Sequence, residues 1–98
     1  MIKTIVERRI KTGKETDVAC LLEELWMKVV RVPGYFTGET LRSVDEPGVL
    51  LTISTWSDIN TWKSWSNSKA RQEIMTEIEY MLRAPSKEIM YEYAFREE

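Results

Sequence analysis

The stretch VLLTISTWSDINTW, Val49 to Trp62, carries two different periodicities joined at one tryptophan. From Val49 to Trp56 nearly every position is apolar or β-branched, the pattern of a central strand covered on both faces. Alternation puts Val49, Leu51 and Ile53 on one side and Leu50, Thr52, Ser54 and Trp56 on the other. Ser57 or Asp58 then offers a helix N-cap, and Ile59, Trp62 and Trp65 recur along one side of the helix that follows.

Toward the C-terminus, Ser66 to Ser68 (SNS) bends or restarts that helix. Ala70, Ile74, Ile78, Met81 and Leu82 continue a buried face up to the break at Ala84-Pro85. Lys87 to Phe95 (KEIMYEYAF) reads as a last strand with Ile89, Tyr91, Tyr93 and Phe95 on one side. Toward the N-terminus, Asp45 to Gly48 (DEPG) is a turn, and Tyr35 to Val44 (YFTGETLRSV) is a strand with a glycine inside it. Pro33-Gly34 stops a helix whose buried face is Val18, Leu21, Leu22, Leu25 and Val29. Thr12 and Glu15 have capping-box spacing at its start. Ile2 to Ile10 (IKTIVERRI) is the first strand. The order β-α-β-β-α-β over residues 1–98 predicts one α+β domain of the ferredoxin-like type. In that fold an antiparallel sheet carries two helices on one face.

Two helices cover only one face, yet the third strand is apolar on both sides and the last strand adds a large apolar row. Such a face calls for a second cover, and another copy of the chain is the simplest one, so a homodimer is expected.

The totals remove several function classes. The chain has 98 residues, no histidine, one cysteine and a net charge of −2. Without histidine there is no Ser-His-Asp or Cys-His catalysis and no His-ligated zinc, copper or haem. The acidic balance argues against nucleic acid as a partner. No apolar run approaches the roughly 18 residues needed to cross a bilayer, so no membrane association is expected. Cys20, expected to be an inert buried thiol, excludes an internal disulfide. With no secretory pattern in the first residues, these features fit a cytoplasmic protein.

Four tryptophans remain to be explained: Trp26, Trp56, Trp62 and Trp65. Gly38, Thr52 and Ser54, with Ala94, are small residues expected in mid-sheet under helices bearing Trp62 and Trp65. Bulky walls over a small floor fence a cavity of the kind that takes apolar ligands, with hydroxyls to orient them. The alternative is that the tryptophans fill the core. Arg8 and Arg9 can hold an anionic or enolate oxygen, or else protect an exposed strand edge. Tyr35, Tyr80, Tyr91 and Tyr93 can donate to a substrate oxygen, while Tyr91 and Tyr93 also suit a dimer interface. Glu73, Glu77 and Glu79 read as a solvated helix face without metal-ligand spacing.

Two segments carry a family resemblance: VPGYFTGETL, Val32 to Leu41, and VLLTISTWSDINTW, Val49 to Trp62, followed by an aromatic-rich closing strand. In these the chain resembles the antibiotic biosynthesis monooxygenase family of dimeric α+β barrels. The resemblance implies a pocket between sheet and helices and oxygenation of anthrone- or quinol-type aromatics with molecular oxygen and no cofactor or metal. It implies catalytic roles at Trp56, which matches the strand-terminal tryptophan, and at Thr52, where the family's branch has an asparagine. Substrate contacts would come from Trp62, Trp65, Ser54, Gly38 and Arg71. A haem-degrading branch of the family has a tryptophan that falls on Trp65, an asparagine near Arg8 and an axial histidine near Met75. Haem degradation is therefore not expected here. A non-catalytic ligand-binding or structural dimer of the same fold is the alternative function.

Overall fold

In a computed structural model describing residues 1–95, the alternating runs form four strands. They are β1 (Ile2–Arg9), β2 (Tyr35–Arg42), β3 (Val49–Trp56) and β4 (Lys87–Glu92). The helices are α1 (Glu15–Val29), α2 (Ile59–Ser66) and α3 (Lys69–Tyr80). All strand pairs are antiparallel, in the order β2-β3-β1-β4. This is the ferredoxin-like α+β fold expected, with three helices where two were expected. Ser68 causes the split: its side chain accepts from the Arg71 backbone N–H and caps α3 separately. Asp58 caps α2 through the Thr61 N–H at 2.9 Å.

Elsewhere the local expectations need correction. Thr12 makes no cap; Gly13 turns the chain with φ 87° and donates its N–H to the Glu15 carboxylate, and α1 starts after Lys14. α3 ends at Tyr80, and Leu82 instead bridges to Ile10 beside β1. β4 stops at Glu92, so Ala94 lies beyond the sheet, exposed, and is no part of any floor. Phe95 likewise follows the strand and is exposed. Ile59 is 40% exposed, unlike the tryptophans it was grouped with. Cys20 is exposed too, one position off the α1 stripe.

Pairing places Ile2, Thr4, Val6 and Arg8 of β1 opposite Trp56, Ser54, Thr52 and Leu50 of β3. This face supplies the strand residues of both core clusters. One joins Ile2, Val6 and Trp56 to Val29, Trp62 and Trp65. The other joins Ile10 to Val18, Ile74, Met75, Ile78 and Leu82. On the opposite face Ile5, Leu51, Ile53, Ile89 and Tyr91 share neighbouring register positions, and the last two are about half exposed. No helix of the described residues is long and apolar enough to cross a membrane.

β1 is an interior strand, so the reading of Arg8 as protection for an exposed edge is wrong. The guanidinium side chain is 2% exposed. Arg9, pointing to the other face, is the surface residue and pairs with Glu7 at 3.2 Å and Glu46 at 2.5 Å.

Candidate functional site

Between α1, α2 and the β2–β3 half of the sheet lies a cavity of about 600 Å³. Its existence follows from side-chain size. The sheet there presents Gly38, Thr40, Thr52 and Ser54, and Leu22 and Leu25 of α1 reach it only partly buried. Trp56, Trp62 and Trp65 wall it and are almost wholly shielded from solvent.

Two glycines hold the aromatic wall in place. Gly34 has φ 90°, and a Cβ there would come within 2.7 Å of Ser57 Oγ and Thr61 Cγ2. Its carbonyl accepts from the Ser57 N–H at 2.8 Å, which ties the start of β2 to the end of β3. The register slips at Phe36. The Tyr35 ring meets Trp56 edge-on at 5.4 Å, and Trp56 meets Trp62 edge-on at 5.5 Å. The Tyr35 hydroxyl occupies the space a Cβ on Gly38 would need. Burial pushes the Tyr35 pKa up, which keeps the hydroxyl protonated and able to donate.

A polar line crosses the floor. Trp56 Nε1–H donates to Ser54 Oγ at 2.9 Å, and the Ser54 and Thr4 hydroxyls are hydrogen-bonded to each other at 2.6 Å. Trp56 therefore offers the cavity a ring and no free N–H. Thr52 Oγ1 accepts from Arg8 Nη1 at 3.1 Å and lies 3.1 Å from Thr40 Oγ1. With Thr40 as donor in that pair, the Thr52 hydroxyl proton is left to point at a ligand oxygen.

Two buried arginines line the same cavity, with a third, Arg42, at an exposed position. Arg71, 4% exposed, lies 5.0 Å over the Trp62 ring and pairs with Glu88 at 2.5 Å. Arg8 has no carboxylate within ion-pairing distance among the described residues. Its Nη2 donates to the Met75 sulfur at 3.3 Å, and its Nε is buried without a partner. Burial, and then repulsion from Arg71, lower the Arg8 pKa to about 10 against the pull of Glu88 and Glu79. Arg8 thus stays charged near neutral pH. Glu23 and Glu39 line the cavity from exposed positions, so the buried lining holds no carboxylate to serve as a base. No group of acidic or cysteine side chains able to hold a metal occurs among the described residues. The positions matching the haem branch's asparagine and histidine do meet, but as Arg8 against Met75, and neither is an imidazole.

The seven residues expected to act on or contact the substrate, Gly38, Thr52, Ser54, Trp56, Trp62, Trp65 and Arg71, line this one cavity, whereas Ala94, Arg9, Tyr80, Tyr91 and Tyr93 do not. Sequence reading missed Trp26 at the half-exposed rim and left Arg8 as one of two options. A signal for Arg8 existed. It is the one charged residue in the alternating row Ile2, Thr4, Val6, Arg8, Ile10, and in the ferredoxin-like order the first strand is interior. Tyr80 lies outside the cavity, on an open groove between α3 and β4, and is 78% exposed.

Residues 1–77 match the model of the family described as antibiotic biosynthesis monooxygenase, and the chain belongs to that family. Protein SchA of Streptomyces halstedii is 23% identical over 82 residues, 84% of this chain. The match spans only 22% of SchA's length. Among solved structures, SnoaB, a cofactor-independent oxygenase from Streptomyces nogalater, crystallised as an asparagine-to-alanine variant, superposes with a TM-score of 0.83 at 16% identity. That alignment covers 97% of this chain and 95% of SnoaB. A conserved protein from Methanosarcina mazei superposes with a TM-score of 0.87 at 17% identity, covering 92% and 89% of the two chains. At such identities the likeness establishes the shared fold.

Proposed function

We propose that this member of the antibiotic biosynthesis monooxygenase family is a cofactor-independent monooxygenase acting on a small electron-rich aromatic of anthrone or quinol type. The observation that carries this reading is a tryptophan-walled cavity whose floor presents a hydroxyl and a buried cation. An anthrone or quinol that loses a proton becomes reducing enough to pass an electron to molecular oxygen. Recombination at the ring carbon then gives a peroxide. For a CH₂ carbon, loss of water leaves a carbonyl: one oxygen atom enters the product and the other leaves as water.

The protein's part is to bind, orient and stabilise charge. Trp56, Trp62 and Trp65 hold the ring and exclude water. Thr52 donates to the developing oxyanion, and Ser54 keeps the Trp56 ring in place through its Nε1–H. The cationic floor favours the ionised substrate, a route that needs no side-chain base. The working unit is a homodimer joined through the apolar face bearing Ile5, Leu51, Ile53, Ile89 and Tyr91.

A second reading is a non-catalytic ligand-binding dimer. It draws on one observation: Thr52 stands where the oxygenating branch has an asparagine, and its hydroxyl is already shared with Arg8 and Thr40. Oxygen uptake with anthrone and dihydroxynaphthalenes, corrected for autoxidation, separates the two. Saturable uptake that falls at least tenfold in Thr52→Val supports the oxygenase. Binding of the same compounds with no uptake above background supports the second reading. Light scattering tests the dimer, and a monomeric mass at micromolar concentration would rule it out.

A further inference from the structure

Arg8 is the buried cation of the floor, and its own hydrogen bonding is incomplete. Its side chain is 98% shielded on an interior strand, lines the cavity, and has no carboxylate partner among the described residues. Of its nitrogens, Nη1 is held by Thr52 and Nη2 only by a thioether, while Nε has no partner at all. A thioether is a weak acceptor, so the Nε–Nη2 edge, the edge on which carboxylates bind in bidentate fashion, is poorly satisfied. Arg71, the other buried cation of the cavity, is already paired with Glu88, and Arg42 lines it from an exposed position. With Arg71 offset by Glu88 from outside the lining, Arg8 remains the buried charge of the cavity that no carboxylate pairs.

An uncompensated guanidinium is costly to bury, and an apolar residue at this strand position would pack without that penalty. We infer that Arg8 is completed by the ligand: this cavity selects aromatic molecules bearing an anionic oxygen, which docks at the floor against Arg8 and Thr52. The inference rests on the aromatic-ligand reading above and narrows its substrate class to anions. The oxygen can belong to a pendant carboxylate or to an ionised enol or phenol of the ring itself, and both present the same charge to the guanidinium.

The test is a set of titrations of the full chain, followed by tryptophan fluorescence or calorimetry, with three naphthalenes of similar shape. 2-Naphthoate carries a charge, 2-naphthamide is its neutral counterpart, and 2-naphthol is neutral when free at pH 7. We expect 2-naphthoate to bind at least about tenfold more tightly than 2-naphthamide, the scale of one hydrogen bond to a charged group. In Arg8→Met that ratio falls to about one, chiefly through lost 2-naphthoate affinity, and Arg8→Lys restores part of the ratio. Circular dichroism confirms the fold of each variant. A naphtholate absorption band from bound 2-naphthol at pH 7 identifies a ring oxygen as the recognised anion; neutral bound naphthol with tight naphthoate identifies the carboxylate. Equal affinities for naphthoate and naphthamide, or a ratio that survives Arg8→Met, overturn the role of Arg8 and leave the aromatic cavity standing. Absence of binding by all three would overturn both.

Discussion

One face of the sheet is used in two ways. Over β1 and toward α3, Ile10, Val18, Ile74, Ile78 and Leu82 interlock into a filled core. Over β2 and β3, the same helix-facing side presents Gly38, Thr40, Thr52 and Ser54, and the space above them stays open. The two halves share helix α1, whose Val18 is fully buried and whose Leu22 lines the cavity. What differs is the volume each strand sends upward. Branched aliphatic side chains close the gap to the helix, whereas hydroxyls and a glycine leave it empty, and tryptophans too large to collapse hold the walls apart.

The strongest way to break this comparison is to truncate one apolar residue in each half. Ile78→Ala removes packed volume where neighbours cannot follow, and should cost about 2–5 kcal/mol in urea unfolding. Leu22, only half-buried where it passes from the edge of that core to the cavity, should cost clearly less on truncation to alanine, about 1 kcal/mol. Equal losses would mean that the cavity is closed in solution.

A smaller effect sharpens the role of the wall. Gly34→Ala forces a side chain into a left-handed backbone with φ 90° and against Ser57 and Thr61. We expect a loss of about 1–3 kcal/mol in thermal or urea unfolding, with altered Tyr35 and Trp56 fluorescence. An unchanged midpoint would mean that this joint between β2 and α2 is not fixed.

The smallest effect has the opposite sign. Arg8→Met should raise the stability of the ligand-free protein by about 1 kcal/mol, because it removes a buried charge that no carboxylate offsets. Since the Arg8 pKa in the fold, about 10, lies well below its ordinary value, the folded state holds the proton less well than the unfolded one. The penalty is present in full below pH 10 and is relieved only as pH rises through 10 toward the ordinary guanidinium range. The gain should therefore be constant between pH 5 and 9 as far as Arg8 is concerned. A destabilised variant would show that Arg8 contributes more through its contacts with Thr52 and Met75 than its charge costs.

The legible features were the local ones. Strand alternation around Thr52, Ser54 and Trp56 and the Asp58 cap follow from nearest-neighbour geometry, and the helix restart at Ser66–Ser68 follows from local capping chemistry. These placed Gly38, Thr52, Ser54, Trp56, Trp62 and Trp65 on the surfaces that meet at the cavity, while Arg71 was indicated only by the family resemblance. The expected floor residue Ala94 fell away because β4 ends before it, and strand ends depend on how far the partner strand runs.

Element order, the helix-facing and outward rows of each strand, and the small floor beneath large aromatic residues were determined by the sequence alone, since each rests on a period of 2 or 3.6 residues. Whether β1 lies inside the sheet, whether Arg8 finds a carboxylate, and whether the tryptophans fill space or enclose it were decided only by tertiary structure. Those outcomes depend on pairings such as Arg8 with Thr52 and Met75, 44 and 67 residues apart. A local pattern specifies which way a side chain points; only the packed fold specifies what it meets.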